Sequence, residues 1–127
     1  MKVELNHTIV AATDKQASAE FVAGILGIPV GDPWGPFQPV PVSNGVVLEY
    51  LDSADVHPQH YAFLIDDHDF DAVFGRIRAA HIPYFADPFL HQPGAINHKY
   101  GGRGVYFHDP DGHILEVLTQ PYGPTPE

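Results

Sequence analysis

The stretch YFHDPDGHILEVLTQ, Tyr106 to Gln120, reads as a hairpin: a strand, a turn over Asp109-Pro110-Asp111-Gly112, and a second strand. The second strand places Glu116 between Leu115 and Val117, on the face it shares with Ile114 and Leu118. A carboxylate projecting from an otherwise apolar face needs a charged partner or a metal. No arginine nearby in sequence is dedicated to Glu116.

The hairpin has a counterpart upstream. Leu48-Glu49-Tyr50-Leu51 matches Leu115-Glu116-Val117-Leu118, and a histidine opens an apolar strand twice, in HTIVA from His7 and in HYAFL from His60. The elements between repeat in the same order. Residues 3–12 are β-branched and apolar enough for a strand. A helix is predicted over TDKQASAEFVAGILG, with Thr13 and Gln16 at capping-box spacing, Gly27 as its stop, and Ala19, Val22, Ala23 and Leu26 as its core stripe. FQPVPV and GVVLEYLD follow as strands. The second half runs from strand HYAFLID to helix DHDFDAVFGRIRAAHI, which carries Phe70, Val73, Phe74 and Ile77 on one side. Strand IPYFA, a long insertion DPFLHQPGAINHKYGG and the final hairpin complete it. Two βαβββ modules, 1–55 and 56–120, are the simplest account, with 121–127 as a frayed tail.

Composition narrows the function. The chain has 127 residues, room for one ordinary domain, and its 16 acidic and 6 basic residues leave a formal charge of −10. The basic residues are scattered, so nucleic acid and anionic membranes are excluded as expected partners. Without cysteine there is no disulfide, thiolate nucleophile or cysteine metal site. The opening MKVELNHTIV has no apolar signal-peptide core, and runs such as YAFLI are too short to span a bilayer; a cytoplasmic protein is expected. Nine histidines remain as candidate metal ligands or proton carriers.

The repeat supplies one strand histidine and one strand glutamate per half. If equivalent strands converge, His7, His60, Glu116 and Glu49 meet, a set suited to divalent Fe, Mn, Zn, Ni or Co; two His and one carboxylate with open positions suit non-haem iron. The alternative for each is a satisfied core histidine or a solvent-facing carboxylate.

The segments LNHTIV, HYAFLI and GVYFHDPDGHILEV, spread over almost the whole chain, resemble the vicinal oxygen chelate superfamily of glyoxalases, bleomycin-resistance proteins and extradiol dioxygenases. The resemblance implies an α+β fold in which two βαβββ modules form a cleft-shaped mixed sheet with flanking helices. It implies His7, His60 and Glu116 as metal ligands, with Glu49 at the place of the glyoxalases' fourth. INHKYGGRGVYFHDPDGHILE also resembles the extradiol signature, which implies His98 as an acid–base group and Tyr106 as a hydrogen-bond donor to substrate.

Three activities follow from the resemblance. The first is a metal-dependent enzyme that chelates two neighbouring oxygens of a small substrate, dioxygenase-like or glyoxalase-like. The second is a metal-free bleomycin-resistance-type protein that sequesters a small molecule; the acidic chain suits a cation, and Trp34, Phe37 and Tyr100 can stack on it. The third, a fosfomycin-type thiol transferase, is disfavoured by the long insertion before the hairpin. Arg103 is a candidate clamp for an anionic substrate. A homodimer is implied, in which His7 and His60 serve the same or different copies. His57, His68, His81, His91, His108 and His113 are expected at the surface or in turns.

Overall fold

The computed structural model describes residues 1–123. It divides into two compact units, Met1–His57 and Pro58–Glu127. Each is an α+β unit built on a mixed sheet.

In the first unit, β1 (His7–Ala12), α1 (Lys15–Leu26), β2 (Phe37–Pro41) and β3 (Val47–Asp52) follow one another. The sheet order is β1-β3-β2, with β1 parallel and β2 antiparallel to β3. Register puts Val10, Tyr50, Leu48 and Val40 on one face, and all are buried. Helix α1 covers this sheet, burying Ser18, Ala19, Val22, Ala23 and Ile25. Ile25 rather than Leu26 thus completes the stripe. Each such aliphatic side chain contributes about 1.5–3 kcal/mol when fully buried.

The expected capping box gives way to a simpler cap. Asp14, not Thr13, is the N-cap, with an extended backbone and a side chain that accepts from the Ala17 amide at 3.1 Å. Gln16 instead bonds Glu20. Gly27 ends the helix as predicted, at φ 74°, with its amide on the Ala23 carbonyl. Between α1 and β2, Pro29, Pro33 and Pro36 remove ladder donors, and only a single Trp34–Phe37 bridge forms where the second half has a strand.

The second unit comprises β4 (His60–Leu64), α2 (Asp67–Ala79), β5 (Tyr84–Phe85), β6 (Gly104–His108) and β7 (Ile114–Leu118), in sheet order β4-β7-β6-β5. β4 runs parallel to β7, and β6 and β7 form the antiparallel hairpin read from the sequence. Phe70, Val73 and Ile77 of α2 are buried, and Phe74 stands edge-on to Tyr84 at 5.0 Å. Acidic Asp67 and Asp69 in the first turn and Arg76 and Arg78 in the last complement the helix dipole.

The insertion is stitched down. Asp87 accepts from the amides of Phe89, His91 and Gln92, and the Asn97 side chain donates to the Ala86 carbonyl at 2.9 Å. It ends in a short 3₁₀ turn, Lys99–Gly101, in which Tyr100 adopts φ 54°, a left-handed conformation unusual for a non-glycine residue. Among the described residues, no helix is long and apolar enough to cross a membrane.

Candidate metal centre

The Asp-Pro-Asp-Gly turn builds the site. Asp109 Oδ1 accepts from the amides of Asp111 and His113, both at 2.9 Å, and Gly112 takes φ 85°. The turn holds His113, which is 1% exposed, and its Nδ1 accepts from the Gln59 amide at 2.9 Å. The Ile114 amide donates to the Gln59 carbonyl at 2.8 Å. These two bonds lock the entry of β4 to β7 and so fix where His60 stands. His113 is therefore a buried structural residue at the end of the turn; of the surface or turn position expected, the turn is observed and the exposure is not.

In the resulting register His60 lies opposite Ile114, Ala62 opposite Glu116, and Tyr106 opposite Glu116 from the other side. Three side chains thus share one sheet face. Glu116 is 2% exposed, and its Oε1 lies 3.0 Å from His60 Nε2. Its Oε2 accepts from the Tyr122 hydroxyl. The Tyr106 and Tyr122 hydroxyls are 3.3 Å apart. Burial, then the bonds to Glu116 and Tyr106, push the Tyr122 phenol far above its ordinary pKa; burial does the same, more mildly, to Tyr106. Both stay protonated donors. Lys99 Nζ sits 5.6 Å from the Tyr106 ring and 5.3 Å from the Tyr122 ring, and Tyr100 stacks on Tyr122 at 5.4 Å.

Tyr122 belongs to the segment read as a frayed tail over 121–127. It is instead docked on Glu116, while 124–127 lie outside the described residues. Only a sequence signal for an aromatic returning to the sheet could have found it, and Pro121-Tyr122-Gly123 carries none.

The first unit repeats the register. His7 lies opposite Val47, and Ile9 opposite Glu49, so His7 and Glu49 stand to each other in the ladder as His60 and Glu116 do. The contacts differ. His7 is exposed, and its Nδ1 pairs with Asn6 at 2.8 Å. Glu49 is 4% exposed, and its Oε2 has no hydrogen-bond partner. It does not face solvent. A buried carboxylate oxygen without a partner in the first unit, and an imidazole nitrogen 3.0 Å from a buried carboxylate in the second, are donor types that suit a divalent ion bound by nitrogen and oxygen ligands.

Other candidates fall elsewhere. His98 is exposed and sits just before the 3₁₀ turn; its neighbour Lys99 is the insertion residue that reaches the tyrosines. Arg103 does not stand free as a substrate clamp. Its Nε and Nη1 bind Asp67 and Asp71 at 3.0 and 2.7 Å, and its guanidinium lies 4.5 Å from the Phe70 ring centre. Trp34 is 58% exposed and packs on Phe37 at 4.9 Å, so it forms a surface aromatic pair rather than core. Tyr100 is 63% exposed. Asp66, His68 and Asp69 bring donor atoms within 4.8 Å of one another, but all three are exposed at the start of α2, where acidic residues are ordinary helix-dipole partners.

Comparison with known proteins agrees with this architecture. The chain is 61% identical to Oxidase ChaP-H2, with a TM-score of 0.95 over 97% of this chain and 98% of that one. It is 56% identical to Oxidase ChaP-H1, with a TM-score of 0.94 over 97% of this chain and 100% of that one. Among curated proteins it is 28% identical to Glutathione transferase FosA of Serratia marcescens, over 92% of this chain and 81% of that protein. Residues 4–117 match the Glyoxalase/Bleomycin resistance protein/Dioxygenase superfamily, and the chain belongs to it.

Proposed function

We propose that the chain is a divalent-metal-dependent oxidase acting on a small substrate with two neighbouring oxygens. The observation that carries this is the buried Glu116 carboxylate, turned toward His60 Nε2 at 3.0 Å. A buried carboxylate retained beside an imidazole has little use in a protein that only sequesters a ligand. His60 and Glu116 would hold the metal, with His7 the further donor implied by the family. When bound, the ion supplies a Lewis acid for the two substrate oxygens and, if redox-active, a path for electrons to dioxygen. Tyr106, a phenol whose pKa burial raises further from its ordinary value, donates a hydrogen bond to a substrate oxygen. The Lys99 ammonium favours the anionic form of that substrate. His98 remains the proposed proton carrier, and a homodimer is part of the same reading.

The two oxidases at 61% and 56% identity favour oxidation over the thiol transfer of the 28% relative. A second reading, glyoxalase-like isomerase or lyase chemistry, is favoured by Glu49, whose unpartnered oxygen suits a fourth ligand.

Metal analysis of protein purified without chelator, beside His60→Ala and Glu116→Gln, tests the core of this. Wild type is expected to carry iron or another divalent ion that the variants lack; equal contents would sink the metal site. Fe(II)-loaded enzyme is then expected to consume oxygen with catechols or related aromatic diols. No uptake across such a screen removes the oxidase reading and leaves the isomerase or lyase.

A further inference from the structure

We infer that Tyr122 is a positioning residue that holds Glu116 as a one-oxygen ligand. The inference rests on the reading of His60 and Glu116 as metal ligands. Glu116 is the buried member of the pair, and its two oxygens are used differently. Oε1 faces His60 Nε2 at 3.0 Å, so this oxygen and this nitrogen are near enough to share one ion in place of the bond between them. Oε2 is taken by the Tyr122 hydroxyl. With that bond intact, Oε1, which pairs with His60, is the oxygen left to exchange that partner for a metal.

The chain spends several contacts on keeping Tyr122 there. Its hydroxyl lies 3.3 Å from that of Tyr106, its ring stacks on Tyr100 at 5.4 Å, and Lys99 Nζ lies 5.3 Å from the ring centre. The 3₁₀ turn that carries Lys99 and Tyr100 is itself pressed against the chain end leading to Tyr122. A Cβ at Gly102 would stand 2.7 Å from Thr119 Oγ1 and 2.8 Å from Gln120 Cγ. The Arg103 amide donates to Thr119 Oγ1 at 2.9 Å. Insertion and C-terminal segment thus form one strap across the Glu116 carboxylate. Hydrogen-bond partners behind a ligand set its orientation and basicity, and losing one typically lowers metal affinity roughly 10–100-fold.

The test is an anaerobic titration with Co(II) alone, followed in the visible range. Tyr122→Phe keeps the ring and its packing and removes only the hydroxyl. Its affinity for Co(II) is expected to fall roughly 10–100-fold. Its absorption band is expected to weaken, because a freed Oε2 raises the coordination number. A chain ending at Gln120 should show the same two changes. If Tyr122→Phe matches wild type in affinity and band, the positioning role is wrong while the metal site stands. If wild type itself binds no Co(II), the metal-site reading falls and this role with it.

Discussion

The two units carry the same pair in the same ladder positions and finish it differently. In the second unit, Glu116 has a partner on each oxygen, His60 and Tyr122. In the first, Glu49 is equally buried, yet its Oε2 has none, and His7 turns to Asn6. The residues beside the two carboxylates differ in bulk: Ala62 lies opposite Glu116, and the branched Ile9 lies opposite Glu49. A methyl group leaves an imidazole room to swing along the sheet face toward the carboxylate; a branched isoleucine at the same register position leaves less. The comparison teaches that a repeat delivers a side chain to a position, while the neighbours decide whether its hydrogen bonds close.

The largest effect expected is on metal binding. Glu116→Gln should cost more than the roughly 100-fold upper range of an outer partner, while Glu49→Gln should retain metal if the oxidase reading holds. Equal losses in equilibrium dialysis would make the units equivalent and move the chain to the four-ligand lyase reading. Next, Glu49→Leu should stabilise the metal-free protein by about 1–3 kcal/mol, since it removes a buried acceptor that makes no bond. Denaturant unfolding checks this, and a loss of stability would mean that Glu49 is satisfied in solution.

Ala62→Ile gives the second unit the first unit's neighbour. It should separate His60 from Glu116 and weaken Co(II) binding about tenfold, the order expected when a ligand loses its orienting environment; unchanged affinity would reject the steric account. The helix starts allow a parallel test. Asp14→Ala should cost about 1 kcal/mol, because the Asp14 side chain caps α1, whereas Asp66→Ala should cost a few tenths, since Asp66 makes no side-chain cap bond to α2.

The smallest effect expected is a pH slope at the turn. Burial raises the Asp109 pKa in the folded protein, and Asp109 Oδ2 is buried without a partner. A group with a raised folded pKa stabilises at low pH and loses that contribution as pH climbs through the raised value. Asp109→Asn should therefore gain stability relative to wild type as pH rises from about 4, the ordinary carboxylate range. A difference that stays flat with pH would show that Asp109 is not strained by its charge.

Much of this architecture was legible in the sequence. The hairpin, the second helix stripe and the Leu-Glu-x-Leu repeat rest on alternation and helical period, which act over a few residues and survive in any context. Glu116 was found because an apolar strand makes a carboxylate conspicuous. The ion pairs of Arg103 and the burial of His113 were not legible, for a common reason. Each is satisfied by a partner far along the chain, Asp67 and Asp71 for Arg103 and the Gln59 amide for His113. The capping box failed more locally: Asp14, not Thr13, caps the helix, its carboxylate accepting from the Ala17 amide.

The sequence by itself determined the two-part plan, the placement of one histidine and one glutamate on matching strands, and the turn that sets Glu116. These follow from side-chain period and turn chemistry. Tertiary structure alone decided that His60 meets Glu116, that Glu49 is left with an open oxygen, and that Tyr122 returns to cover Glu116. The first depends on pairing between strands more than 50 residues apart, the second on which side chains leave space beside a carboxylate, and the third on the chain folding back over the sheet after β7. Side-chain period and turn chemistry record none of the three.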